Sequence, residues 1–227
     1  MRIGVPVEIK NNEHRVGLTP ESVNELCSAG LAVNIQSQAG SAIGFTDQDY
    51  QQAGATILSS ASDVYESSDL IVKVKEPLPE EFKFLSSDKT LFTYLHLAGN
   101  KSQAVELMNT GVTGIAYETV TSSDGSLPLL APMSKIAGQI SVVVGQYFML
   151  KPNGGIGTIL GSVENIERRV VTVIGAGVAG TEAIKKAILR SEPNEIILVA
   201  GKGHENYQDY GKKIIHISDK QIIKKIK

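Results

Sequence analysis

Short apolar runs alternate with helix-period segments along most of the 227-residue chain. Residues 3–7, 32–36, 70–74, 90–95 and 114–117 are apolar stretches short enough to be buried parallel strands. Between them, residues 20–29, 47–53 and 102–109 keep a helical spacing, and Thr19 is placed to cap the first of these helices. This strand–helix alternation predicts βαβ units and a parallel sheet. A longer helix follows, with Ile136, Ile140, Val143, Val144 and Tyr147 at near-helical intervals through Leu150. It reads as a connector between two α/β lobes. Residues 151–161, KPNGGIGTILG, combine glycines with a proline and predict a loop. The end of the chain, SDKQIIKKIK, reads as a basic amphipathic helix with Ile222, Ile223 and Ile226 turned inward.

Residues 169–180, RVVTVIGAGVAG, join a β-branched run to G-x-G-x-x-G and then to a helical pattern. A dinucleotide-binding βα turn has this form. Gly175 would permit the tight turn, Gly177 would let the backbone approach a pyrophosphate, and Gly180 would let helix and strand pack closely. The helix amino terminus offers unpaired N–H groups and a positive dipole end to phosphates. A tight turn with a purely structural role is the alternative. Only 47 residues follow Gly180, whereas a full domain of this kind uses about six strands, so the expected second domain is truncated.

Composition narrows the function classes. Hydrophobic residues make up 42% and charged ones 20%, ordinary for a globular protein. A net charge of −2 gives no electrostatic reason to expect nucleic acid or an anionic membrane surface. Cys27 is the only cysteine, so no intrachain disulfide can form, and its helical surroundings predict a buried, inert thiol. No stretch reaches the roughly 18 apolar residues of a membrane span, and MRIGVPVEIK lacks the apolar region of a signal peptide. The expectation is a cytoplasmic protein without a metal site, with His204 and His216 as surface residues.

Three groups follow predicted strands. Arg15 lies in NNEHRVGLTP, Lys75 closes IVKVK, and His96 sits in YLHLA. Open α/β sheets bind ligands beyond the carboxyl ends of their strands, so the three could converge on a small anion. An arginine grips a carboxylate with two parallel hydrogen bonds. A lysine polarises a neighbouring oxygen, and a histidine exchanges a proton near neutral pH. Spacing alone leaves each of them open to a solvated or capping role.

The stretches MRIGVPVEIKNNEHRVGLTP, DLIVKVKEPLPEE, LFTYLHLA, GIAYETV, DGSLPLLAPMSKIAGQ and VIGAGVAG together resemble the alanine dehydrogenase/pyridine nucleotide transhydrogenase family over residues 1–182. The resemblance implies an α/β fold, with a Rossmann-like parallel-sheet substrate domain and a truncated NAD-binding Rossmann domain. Its implied limits are 1–130 for the substrate domain and 131–182 for the connecting helix and the start of the NAD-binding part. It implies that Arg15 and Lys75 hold the carboxylate and carbonyl of pyruvate or L-alanine, and that His96 carries the acid/base chemistry. Ser134 and the turn residues Gly175, Gly177, Val178, Ala179 and Gly180 would bind the cofactor NAD. The implied reaction is oxidative deamination of L-alanine to pyruvate and ammonium, in a homo-oligomer. His96 and Tyr117-Glu118-Thr119 point to the dehydrogenase branch rather than to a transhydrogenase α-subunit-like protein.

Two departures stand beside the match. The run 195–200, EIILVA, ends without the acidic residue that binds the ribose, and the later catalytic aspartate of the family is absent. Residues 183–227 resemble the carboxyl terminus of MurE-type peptidoglycan-precursor ligases through GKGHE, whose Gly201 and Glu205 would contact diaminopimelate. The ligase's other motifs are missing. The combined expectation is a truncated, fused dehydrogenase with impaired turnover. A non-catalytic remnant that binds a carboxylate or a partner chain is the alternative.

Overall fold

The computed structural model describes residues 1–160, 171–174, 177–190, 197–200, 208–209 and 214–215. The chain divides into two compact units, Met1–Val120 and Thr121–Lys227.

The first unit is a parallel sheet with helices between its strands. In chain order these are β1 (Arg2–Val5), α1 (Pro20–Ser28), β2 (Ala32–Gln36), α2 (Asp47–Gln52), β3 (Thr56–Leu58), α3 (Ala61–Glu66) and β4 (Leu70–Val72). There follow α4 (Pro79–Phe82), β5 (Thr90–Thr93), α5 (Lys101–Thr110) and β6 (Thr113–Ala116). The six strands lie in the order β3-β2-β1-β4-β5-β6, and every pairing is parallel. This is the doubly wound order, with its reversal between β1 and β4.

Local chemistry explains most boundaries. β1 ends before the expected residue 7 because Pro6 has no N–H to continue a ladder. α1 opens with proline in its first turn, and Thr19 Oγ1 accepts the Ser22 N–H at 3.3 Å. Thr46 and Asp49 form a reciprocal capping box for α2. The elements β3, α3 and α4 have three, six and four residues, too few for a hydrophobic period to reveal them.

Successive strand residues point to opposite faces, and the core divides accordingly. Val72 joins Ile3, Val5, Val23, Val33, Ile35 and Tyr50 in one cluster. Its neighbour Ile71 joins Tyr65, Leu85, Leu91, Leu95 and Leu107 in the other. Tyr50 is fully buried, and its hydroxyl donates to the Leu18 carbonyl at 2.9 Å. Cys27, expected to be buried, is half-buried at the edge of the first cluster.

The second unit contains α6 (Ala131–Met149), β7 (Val171–Ile174), α7 (Val178–Arg190) and β8 (Ile197–Ala200), besides the short antiparallel pair β9 (Gln208–Asp209) and β10 (Ile214–Ile215). β7 and β8 pair in parallel, with Ile174 opposite Ala200. The apolar stripe that predicts α6 faces outward: Ile136, Ile140, Val143, Val144 and Tyr147 are 43–55% exposed. The residues that α6 buries are Gly138 and Val142. The expected basic helix over 218–227, together with His204, His216, Gly201 and Glu205, lies outside the described residues.

Candidate functional site

The reversal of strand order between β1 and β4 leaves a crevice at the carboxyl ends of both strands, where doubly wound sheets bind ligands. The chain leaving β1 carries Glu8, Glu13 and Arg15, and the chain leaving β4 carries Lys73, Lys75 and Glu76. A cleft of 590 Å³ opens at this edge, lined by the segment from Val7 to Arg15, by Gln36 at the end of β2, and by Ser37 and Gln38 after it.

Arg15 is held by Glu13. Its Nε donates to Glu13 Oε1 at 2.8 Å, Nη2 donates to Oε2 at 2.6 Å, and its backbone N–H also donates to Oε1 at 3.0 Å. The guanidinium hydrogen bonds hold the Glu13 carboxyl at about 2, well below the ordinary carboxylate range, and Lys75 adds to the pull. Two of the sequence-predicted residues thus act on one carboxylate, although they stand 60 positions apart.

Lys75 is anchored through its backbone. Its carbonyl accepts the Thr93 hydroxyl at 2.9 Å, while Glu8 Oε1 accepts the Val74 N–H at 2.6 Å and the Lys75 N–H at 3.4 Å. Glu8 is nearly buried, and burial raises its carboxyl above the usual range against the pull of Lys73. Lys73 is buried beneath the site with its Nζ 3.3 Å from Glu8 and 2.8 Å from Glu81. Glu81 in turn accepts the Tyr65 hydroxyl at 2.9 Å and the Leu78 N–H at 2.9 Å. Both lysines lie beyond the last residue of β4, where strand alternation no longer sets their directions: Lys73 is buried in this ion network, while Lys75 is half-buried. Beside them, Glu76 is paired with Lys10.

His96 follows β5 in a left-handed backbone conformation, φ 49° and ψ 36°, which is unusual for a residue with a Cβ. Both oxygens of Glu118 accept backbone N–H groups there, from His96 at 2.7 Å and from Leu95 at 3.2 Å. The side chain of His96 is exposed. Tyr94 lies electrostatically between the two halves of the site. Burial raises its phenol, Arg15 opposes that rise and Glu118 adds to it. Tyr117 packs edge-to-face on both Phe92 and Tyr94, with centroids 4.3 and 5.0 Å away.

The cofactor candidates belong to the second unit. Ser134 lies in the first turn of α6, half-buried, with its N–H bonded to the Leu130 carbonyl. β7 leads into α7, whose first residue is Val178, so Val178, Ala179 and Gly180 form its opening turn. A Cβ added at Gly177 would meet nothing within 4 Å, and Val178 is 43% exposed. The lip of the turn and the helix amino terminus are therefore open to a ligand, as a pyrophosphate requires. Gly175 lies outside the described residues. The expected strand beyond the turn is β8, and it ends at Ala200 with no acidic side chain. Among the described residues no cluster of His, Cys, Asp and Glu could hold a metal ion, and no helix is long and apolar enough to cross a membrane.

Sequence reasoning overlooked Glu8, Glu13, Lys73 and Tyr94. The carboxylates at 8 and 13, either side of the polar EIKNNE run, were the available signal. Lys73 carried none, because only its buried partners Glu8 and Glu81, distant in sequence, distinguish it from Lys75.

The chain is similar to known proteins over most of its length. Residues 4–137 match the family described as alanine dehydrogenase/PNT, N-terminal domain, and residues 141–226 match its C-terminal domain. An alanine dehydrogenase of Staphylococcus epidermidis is 46% identical over 209 residues, 92% of this chain and 56% of that protein. A solved L-alanine dehydrogenase superposes with a TM-score of 0.76 at 44% identity, covering 91% of this chain and 62% of the other. A transhydrogenase from Sinorhizobium meliloti has a TM-score of 0.70 at 24% identity, a likeness of fold alone. The chain spans about half the length of the curated relatives it matches.

Proposed function

The chain belongs to the alanine dehydrogenase/PNT family, and from that premise we propose that its first unit is the substrate lobe of an NAD-dependent alanine dehydrogenase. The observation that carries the reading is the Arg15 guanidinium held by Glu13 on the chain leaving β1, at the switch point whose other strand, β4, leads into Lys75.

In this reading the Arg15 guanidinium binds the carboxylate of pyruvate or L-alanine, and Glu13 keeps its planar fork oriented. Lys75, anchored through Glu8 and Thr93, directs its ammonium to the carbonyl oxygen and stabilises the negative charge that develops there. His96 takes up or returns a proton at the same oxygen. Gly177, Val178, Ala179, Gly180 and Ser134 hold NAD, with the phosphates at the open amino terminus of α7. NAD supplies the hydride acceptor for oxidation of L-alanine.

The dehydrogenase branch is favoured by His96, by Tyr117-Glu118-Thr119, and by 44–46% identity to alanine dehydrogenases. Efficient hydride transfer requires the reacting atoms to be held about 3–3.5 Å apart. With no acidic side chain at the end of β8 to bind the ribose, NAD is expected to bind more weakly than where that acid is present. A second copy as partner and a cytoplasmic setting belong to the same proposal. For the tail beyond residue 182, we keep the MurE-type likeness as a proposal of ancestry without ligase activity, alongside the dehydrogenase-family match that runs to residue 226.

Calorimetric titration with pyruvate, and separately with NADH, tests the reading. Binding of both supports it, and loss of pyruvate binding in Arg15→Met and Lys75→Met assigns the pocket. Neither ligand binding to a folded sample rejects the dehydrogenase reading in favour of a remnant without this chemistry. Diaminopimelate is expected not to bind.

A further inference from the structure

The backbone of His96 occupies a region that a non-glycine residue rarely adopts, φ 49° and ψ 36°. Such strain persists only where surrounding structure over-determines it. Here the determinant lies 22 residues away, on the turn after β6: the Glu118 carboxylate receives the N–H groups of both Leu95 and His96, one on each oxygen. Two N–H groups converging on a charged acceptor make bonds stronger than neutral ones. Neither the helical ladder of α5 nor the β5–β6 pairing requires this contact.

A second feature acts on the ring rather than the backbone. The 3₁₀ turn Leu97–Gly99 folds back so that a Cβ added at Gly99 would lie 2.4 Å from His96 Nε2 and 2.7 Å from Cδ2. Gly99 has no left-handed φ that would demand glycine. The constraint is therefore space for the imidazole.

We propose that Glu118 and Gly99 are positioning residues for His96, Glu118 locking its left-handed backbone and Gly99 providing the seat for its ring. The pair selects one direction for an otherwise exposed imidazole. This rests on the reading that His96 serves the substrate, but the positioning itself is measurable without substrate.

The test uses the full chain with ¹⁵N-labelled histidine. The His96 imidazole signals are assigned by their absence in His96→Gln, and its φ is read from backbone scalar couplings and shifts. Glu118→Gln keeps one acceptor oxygen and presents an NH₂ to the second N–H. It should release φ from the left-handed region and move the imidazole signals. Gly99→Ala should move the imidazole signals with φ little changed. Glu118→Asp, with two acceptor oxygens retained, should restore part of the wild-type pattern. Glu106→Gln, on the exposed side of α5, removes the same charge and should change neither. Pyruvate affinity should fall about threefold to tenfold in Glu118→Gln and Gly99→Ala, the worth of one hydrogen bond from a displaced imidazole. Unchanged His96 φ and imidazole signals in folded Glu118→Gln and Gly99→Ala would overturn the positioning. Shifted His96 signals in a protein that never binds pyruvate would uphold the positioning and reject the substrate reading instead.

Discussion

Lys73 and Glu81 form an ion pair of 2.8 Å in which the lysine side chain is 1% and the glutamate 5% exposed. Glu8 stands on the other side of the same ammonium at 3.3 Å. One buried cation thus serves two buried carboxylates, directly below the strand end that carries Lys75.

Removing that cation leaves both carboxylates without their counter-charge. Lys73→Met is expected to destabilise the fold by about 3–5 kcal/mol, the range for breaking one side of a buried ion pair. Urea denaturation measures the loss. Adding Glu8→Gln and Glu81→Gln to Lys73→Met should recover much of it, since the penalty comes from unpaired charge rather than lost volume.

The Glu13–Arg15 pair makes a prediction about acid. Glu13 has a folded-state pKa of about 2, below its ordinary 4.5, because the Arg15 guanidinium binds its ionised form. A depressed carboxylate pKa adds stability that is present above the unfolded value and lost as pH falls through the folded one. Wild type should therefore exceed Glu13→Gln by a constant margin above pH 4.5, about 1 kcal/mol or less because the arginine is partly exposed. The margin should close as the pH is lowered to about 2. Denaturation midpoints over a pH series decide it. A margin that persists in strong acid would reject the ion pair as its source.

In the second unit, α6 and α7 cross at Gly138. A Cβ there would lie 2.1 Å from the Ala179 carbonyl oxygen and 2.9 Å from Glu182 Cβ. Gly138→Ala should lower stability by about 1–3 kcal/mol, read by thermal unfolding. Because Ala179 belongs to the opening turn of α7, NADH affinity should fall in the same variant. NADH binding at wild-type strength would place the cofactor elsewhere.

The outward stripe of α6 predicts surface behaviour. Ile136, Ile140 and Tyr147 are 50, 50 and 55% exposed, and contiguous apolar surface favours association. Replacing Ile140 and Tyr147 by Gln should reduce binding of an apolar dye and any self-association seen by analytical ultracentrifugation. Stability should change by no more than about 0.5 kcal/mol, since neither side chain belongs to the core.

The sequence by itself determined the class of this fold and the local chemistry of its elements. Apolar runs with helical segments between them specify parallel βαβ units. Thr19 before Pro20 starts α1, and the β-branched run before Gly177 specifies the strand–turn–helix of β7 and α7. These signals span only a few residues, so they can be read along the chain. Tertiary structure alone decided the rest. The order β3-β2-β1-β4-β5-β6 brings Glu8 to the Val74 N–H across 66 positions and sets the chain carrying Arg15 beside the one carrying Lys75. It also buries Lys73 between Glu8 and Glu81 and sets Glu118 against the backbone of His96. Those outcomes depend on which strands become neighbours and which face of each is covered. Both follow from burial of apolar surface over the whole unit, which no short stretch of sequence contains.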